Sequence, residues 1–444
     1  EPHAGSDVGS ASSGATRNDD GSYDVQGTKI FISGGDNDLS ENVIHLVLAR
    51  IEGAEAGTKG LSLFIVPRVR INEDGSLGEL NDVTVPSIEH KMGINGSATC
   101  VMNFGDEGGC LGEVVGGVEH QGIRQMFHMM NAARIGVGIQ GLSVASASYL
   151  SALEYARERK QGASIKKFKD ANAPRVPILQ HPNIRRDLLG MKARVEGVRA
   201  LIMKLSNHTD RLRATQGKDD ESEAYHKGQI DLLTPLVKAY GTDAAFEVSS
   251  RAIQVHGGHG YLRDYPVEQY CRDSKIFQIY EGTNFIQSMD LVSRKLGQAG
   301  GANTQAFLMD IQKFITANKD TPELKDGIAH LANAHEAVAA SVMQFIGWFK
   351  GGKLEHIPLA AEEFLTIMSD LAVGWLLLDQ ASIALKKLPE TSETHPDHAF
   401  YTGKKFAAQY FANNVLTTLP SRVQRLSSID TLPVEIPDEA FATV

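Results

Sequence analysis

The stretch Arg251–Lys295, RAIQVHGGHGYLRDYPVEQYCRDSKIFQIYEGTNFIQSMDLVSRK, concentrates the chemistry of this chain and decides how the segments around it are read. Within it, Gln254-Val-His-Gly-Gly-His-Gly260 places three glycines in four positions. That pattern permits positive φ and a close backbone approach to a ligand, a phosphate above all. The same residues would equally serve as a loop that closes a helix. Further on, Tyr280-Glu281-Gly-Thr-Asn sets a carboxylate just before another glycine, between apolar Ile279 and Phe285. Such a carboxylate is a candidate general base; its plainer alternative is a helix N-cap or surface charge.

Upstream, helices form the scaffold for this stretch. Met126, Met129, Met130, Ala133, Val137 and Ile139 recur at helical spacing and predict a long amphipathic helix running towards Arg159, with the methionines read as core before pocket. A polar loop, Gln161 to Gln180, precedes Pro182, which can open the next helix. There Ile184, Leu188, Met191, Val195, Val198, Ile202 and Leu205 alternate steps of four and three, as a bundle seam does. A second polar loop, Asn207 to Lys227, leads to a helix from about Gly228 to Gln254.

Before Gly116 the pattern changes to short β-branched or aromatic runs bounded by Gly, Asn, Asp or Pro: Tyr23 to Ile32, Val43 to Ala49, Leu61 to Val66 and Ala98 to Phe104. After Lys295, Gly297 to Asn303 reads as a linker, and helical patterns follow at Phe307 to Ala317, Pro322 to Lys350, Leu359 to Lys387 and His398 to Thr418. The expected fold class is α+β with segregated domains: a β-domain over 1–115, a helical bundle over 116–296 and a helical extension over 297–444.

With 444 residues, 42% of them hydrophobic, the chain is ample for buried cores. Its net charge of -10, with carboxylates outnumbering basic groups in the extension too, argues against a general polyanion-binding surface. Cys100, Cys110 and Cys271 show neither metal spacing nor a disulfide framework and fit a reducing compartment. The longest apolar run, around Leu371 to Leu378, is too short to span a bilayer. His256 and His259, without a third ligand nearby, read as turn residues or phosphate neighbours, and no metal site is expected.

From Gln254 through Gln287 the chain resembles the acyl-CoA dehydrogenases, flavoenzymes that oxidise the Cα–Cβ bond of acyl-CoA thioesters. Separate motifs in family order extend the resemblance from Glu1 to about Leu296. The family fold is a β-domain followed by a four-helix bundle, and the added helical domain resembles a bacterial subgroup that includes 3-methylmercaptopropionyl-CoA dehydrogenase and some long-chain enzymes. The resemblance implies FAD as cofactor, Glu281 as catalytic base, and Glu281 with Gly282 meeting the thioester. It implies Ser6 beside flavin and thioester, Phe31 and Ile32 in the segment covering the ring, and Ser33 hydrogen-bonding flavin N5. Phe31 and Ser33 stand where the family often has Trp and Thr; cover and hydroxyl are kept.

By the same matching, Arg134 lies near the CoA moiety, with Asn131 where the family has aspartate. Arg159, Gln254, Gly257 and Gly258 meet the diphosphate and adenosine part of a neighbouring subunit's FAD, and Thr283 touches the cofactor beside Glu281. Gln161 and Phe285 depart from the family pattern. Expected partners are an acyl-CoA, an electron-transfer flavoprotein as acceptor and further copies of the chain as a dimer or higher oligomer, without nucleic acid or membrane insertion. Two alternatives stay open: an acyl-CoA oxidase using oxygen, and a DNA-associated flavoprotein of the alkylation-response branch. The opening Glu1-Pro-His-Ala-Gly-Ser-Asp7 matches the middle of a family motif, so the chain is expected to lack the family's N-terminal helical domain. A bacterial cytoplasm is the expected location, with the mitochondrial matrix as the alternative.

Overall fold

The computed structural model describes residues 1–442. The chain divides into two units, Glu1–Ala133 and one beginning at Arg134. In the first, the β-branched and aromatic runs form β1 (Gly14–Arg17), β2 (Tyr23–Ser33), β3 (Ile44–Ile51), β4 (Leu61–Pro67), β5 (Val69–Ile71), β6 (Leu77–Leu80), β7 (Val83–Ile88), β8 (Thr99–Phe104) and β9 (Leu111–Val114). The main sheet runs β1-β3-β4-β9-β2-β8-β7, and an added β1–β2 pairing closes five strands into a ring. Closure satisfies backbone groups that an open edge would leave unpaired. Tyr23, Val25, Val47, Ala49, Phe64, Val66, Met102 and Phe104 fill its interior. Cys110 is also buried there, and burial pushes its thiol up to about 12, so it stays protonated.

One irregularity matters for the site. Between Lys29 and Ile32 the β2–β8 register shifts, and Phe31 within that bulge has φ 61. A bulge re-aims the side chain it carries, and the Phe31 ring is 67% exposed instead of packed into the sheet.

The second unit takes up most of α1 (Gly122–Glu158), then β10 (Lys160–Ala163), β11 (Arg175–Pro177), α2 (Pro182–Thr215), α3 (Asp220–His256), α4 (Val267–Ser274) and α5 (Asn284–Asp290). The sequence predicts α2 well: Leu188, Met191, Val195, Val198, Ile202 and Leu205 are all buried. It places α3 too late. The helix begins at Asp220 because Asp219 caps it, accepting from the Ser222 backbone N–H, and Asp220, Glu221 and Glu223 complement the positive helix end. With α2 continuing to Thr215, the expected polar loop 207–227 shrinks to a few residues. The other polar loop contains the paired strands β10 and β11. The methionine stripe of α1 does not fill a core: Met126 and Met130 are half-buried and Met129 is exposed. Close packing of α1 on α3 instead uses glycine, since a Cβ on Gly141 would sit 2.4 Å from the Gly241 carbonyl oxygen.

The extension forms α6 (Ala302–Asn318), α7 (Lys325–Lys350), α8 (His356–Lys387), α9 (Pro396–Asn414), α10 (Leu419–Ser427) and α11 (Leu432–Glu435). One apolar core runs from α2 and α3 into these helices, with the run Leu371 to Leu378 of α8 buried inside it. No helix among the described residues is long and apolar enough to cross a membrane. A buried carboxylate ties the layers together: Asp370 accepts from Tyr240 Oη at 2.8 Å and Arg422 at 2.8 Å, and Arg194 lies 3.4 Å away. Breaking such a buried charge cluster costs about 3–5 kcal/mol, so it fixes how the extension seats on α2 and α3.

Between α2 and α3, His208 is 2% exposed, its Nδ1 2.9 Å from His226 Nδ1. Burial pushes its pKa down to about 4, helped by the positive charge of Lys204 and by His226 and opposed by Asp310. The unfolded chain protonates His208 near 6.5, whereas the folded chain holds it neutral to lower pH. The stability this leaves is fully present above 6.5 and is lost as pH falls towards 4. Lowering the pH from 7 to 5 should therefore cost about 2 kcal/mol through this residue. Urea unfolding of His208→Phe should show a smaller loss over that interval than wild type; an equal loss would contradict the assignment.

Candidate active site

Glu281 lies in the loop between α4 and α5. A 3-10 turn over Lys275–Gln278 buries Phe277, and Tyr280 stacks on that ring with 6.0 Å between centres while donating to Gln140. The next two residues are both left-handed, Glu281 at φ 55 and Gly282 at φ 83. Left-handed backbone is costly for a residue with a Cβ, so the surroundings must hold Glu281 there. Thr283 then caps α5, its hydroxyl oxygen accepting from the Ile286 N–H at 3.2 Å. The helix cap is thus Thr283, not Glu281, and Glu281 is half-buried.

Beneath the loop, α3 supplies charge in an otherwise apolar run. Lys238 is fully buried, and its Nζ donates to Asn284 Oδ1 at 2.9 Å. Burial pushes its pKa down to about 8; the Asp243 and Glu281 carboxylates oppose this and Arg134 reinforces it. Asn284 Nδ2 donates to Asp243 Oδ1 at 2.7 Å. Burial is the largest influence on Asp243 and raises its pKa, against the bonds from Gln278 and Asn284 and the charge of Lys238. From α5, buried Gln287 donates to the Gly282 carbonyl at 3.2 Å.

Arg134 is 6% exposed, and its guanidinium lies 3.6 Å from Asp290. A Cβ on Gly282 would be 3.6 Å from its Nη2, which puts this cation against the Glu281–Gly282 turn. Burial pulls its pKa down, opposed by the carboxylates of Asp290 and Glu281. Arg134 therefore lies against the turn that carries the candidate base, and the buried Lys238 ammonium acts on it by charge through the loop. Asn131 is half-buried on α1 in the first unit.

The glycine turn closes α3, with Gly257 at φ 62 and its N–H donating to the Gln254 carbonyl. It also borders a cleft of about 440 Å³ whose lining includes Arg159, Gln161, Gln254, Gly257, Gly258 and His259. Arg159, 95 positions before Gln254 in the chain, is brought together here with Gln254, Gly257 and Gly258. A Cβ at Gly257 or Gly258 would meet nothing within 4 Å, so their backbone is open to a ligand. One wall is aromatic: Tyr155 stacks on His256 at 4.4 Å between centres and hydrogen-bonds His259 Nδ1 at 2.8 Å. Both histidines are thereby engaged in the turn's own packing. A guanidinium beside open glycine backbone suits a diphosphate. In the first unit, Ser6, Phe31 and Ser33 are exposed and Ile32 is half-buried, paired with Cys100 across β2 and β8.

Lys238, Asp243, Gln278, Asn284 and Gln287 escaped the sequence reading. The signal was a lysine alone in the apolar run Leu232 to Ala245 with an aspartate five residues on, since a charge inside a buried helix requires a partner.

Comparison with known proteins agrees with this architecture. Residues 1–106 match the acyl-CoA dehydrogenase middle domain, 120–296 the acyl-CoA dehydrogenase C-terminal domain, and 307–437 the family described as acetyl-CoA dehydrogenase C-terminal like. The chain belongs to the acyl-CoA dehydrogenase family and is an oxidoreductase of that class. It is 40% identical to the broad-specificity linear acyl-CoA dehydrogenase FadE5 of Mycobacterium tuberculosis over 99% of its own length and 73% of that protein's. It is 38% identical to the 3-methylmercaptopropionyl-CoA dehydrogenase of Ruegeria pomeroyi, over 96% of this chain and 70% of that one. Among solved structures, an acyl-CoA dehydrogenase from Bacillus anthracis complexed with FAD shares the fold, with a TM-score of 0.74 at 21% identity, covering 99% of this chain and 69% of that one.

The strained turn gives a direct test. At Gly282, alanine would meet a positive φ and place its Cβ 2.8 Å from Gln287 Nε2. Gly282→Ala should lose about 1–2 kcal/mol in urea unfolding. An unchanged midpoint would mean that the turn is not left-handed.

Proposed function

We propose that this chain carries out FAD-dependent α,β-dehydrogenation of an acyl-CoA thioester to the trans-2-enoyl-CoA, with Glu281 as the base. The observation that carries this reading is the half-buried Glu281 on a left-handed turn with the Arg134 guanidinium against it. When bound, FAD supplies the acceptor for the hydride leaving Cβ. Glu281 takes the α-proton, and its backbone N–H donates to the thioester carbonyl, where negative charge grows as the proton leaves. The nearby cations favour that charge. Exposed Phe31 would cover the flavin face against water, and the Ser33 hydroxyl would bond flavin N5. Ser6, Asn131 and Gly282 would help seat the thioester and CoA. Arg134, already paired with Asp290, would act there through its field.

The open cleft at the end of α3 fits the cofactor's diphosphate and adenosine. Arg159, Gln254, Gly257 and Gly258 would hold that half of a FAD bound mainly by a second copy of the chain, and Thr283 would touch the cofactor beside the base. Electron-transfer flavoprotein is the proposed acceptor. The named relatives, both dehydrogenases, favour this reading over an oxidase. The acidic net charge disfavours the DNA-associated alternative.

Glu281→Gln keeps the side-chain shape and removes the base. It should still bind FAD and acyl-CoA, yet the substrate should bleach the flavin at least about 100-fold more slowly. Near-normal bleaching across a butyryl-CoA to palmitoyl-CoA series would place the base elsewhere. Arg159→Ala should release FAD more readily and weaken association of the chain, both read by gel filtration with flavin absorbance. A variant that keeps both as wild type does would contradict the assignment.

A further inference from the structure

The segment that carries Glu281 is held at both ends by one atom. Three residues before the base, Gln278 Nε2 donates to Asp243 Oδ1 at 2.7 Å; three residues after it, Asn284 Nδ2 donates to the same oxygen, also at 2.7 Å. Asp243 sits on α3, whose neighbouring residues Ala244 and Ala245 are buried in the packed interior. We propose that Asp243 is a positioning residue for the base: its carboxylate ties both ends of the segment Gln278 to Asn284 to α3 and so fixes the backbone turn at Glu281.

Three features support a positioning role beyond ordinary packing. The turn at Glu281 is left-handed at a residue with a side chain, a conformation that needs external restraint. Asn284 has a defined amide orientation because Lys238 Nζ faces its Oδ1 and the Asp243 carboxylate faces its Nδ2. The same amide also donates to Thr242 Oγ1 at 3.1 Å and to the Ala239 carbonyl at 3.3 Å, so four residues of one helical turn and a half converge on it. Release of the clamp would leave Glu281 and its N–H free to drift relative to the thioester. A drift of 1 Å is enough to slow chemistry about 100-fold without touching the groups that bind substrate.

Asp243 and Gln278 also line an open cleft of about 490 Å³ together with Phe246, Glu247, Ser250 and Arg251, so Gln278 can be truncated without emptying the core. This makes Gln278→Ala the companion to Asp243→Ala should the latter fold poorly.

The inference rests on Glu281 being the base, and the experiment separates the two. FAD-loaded wild type, Glu281→Gln, Asp243→Ala, Asp243→Asn, Gln278→Ala and the Asp243→Ala/Gln278→Ala pair are mixed with the best-oxidised member of a butyryl-CoA to palmitoyl-CoA series. The rate constant for flavin bleaching and the apparent substrate affinity are then measured. Asp243→Ala and Gln278→Ala should slow bleaching at saturating substrate by about 10- to 100-fold with affinity within a factor of about three. Asp243→Asn, which retains an accepting oxygen, should recover part of the loss. The double variant should be no slower than Asp243→Ala, because both substitutions remove the same restraint. Wild-type bleaching in Asp243→Ala would overturn the clamp, as would a wild-type rate in Gln278→Ala or a double variant whose losses multiply. Wild-type bleaching in Glu281→Gln would instead overturn the base itself.

Discussion

A buried ammonium sets the terms for this site. Lys238 lies in α3 among Leu236, Val237 and Ala239, all nearly inaccessible, and an uncompensated charge there would be prohibitively costly. Its compensation comes from Asn284 by hydrogen bond and from Asp243 and Glu281 by charge, and each of these binds or belongs to the loop after α4. Folding α3 into the core therefore requires the loop to close over it. The left-handed turn at Glu281 and Gly282 is the shape that this closure takes.

Helix α3 joins the two functional regions of the second unit. It carries Lys238 and Asp243 under the candidate base and ends at Gly257, where the open cleft begins. At about 1.5 Å of rise per residue, the two places are separated by roughly 21 Å of one rigid element. The extension seats against the same helix through Tyr240, whose hydroxyl meets Asp370, two residues along from Lys238 and three before Asp243. Its physical effect here is to pack and hold the helix on which both regions depend.

Much of this was legible in the sequence, where composition and periodicity speak directly. The seam of α2 follows from its apolar spacing, and the β-unit from its short β-branched runs. The glycines and Arg159 are motif residues, and the structure brings them to one cleft although they lie about 100 positions apart. Other features were hidden for physical reasons. The early start of α3 depends on a single capping aspartate inside a polar stretch that resembles a loop. The bulge at Phe31 depends on β8 across the sheet, which has no local signature. The Asp243 clamp joins residues about 35 to 41 positions apart through side chains that individually look like ordinary helix polar groups.

Removal of the α-proton by the carboxylate of Glu281 can be measured apart from any oxidation. An acyl-CoA in which sulfur replaces the β-carbon has acidic α-hydrogens but no β-hydride to give up. Incubated with the FAD-loaded protein in deuterium oxide and followed by mass spectrometry, it should gain deuterium at Cα with wild type and only at the enzyme-free rate with Glu281→Gln. Exchange at the wild-type rate in that variant would show that another group, and not Glu281, moves the proton.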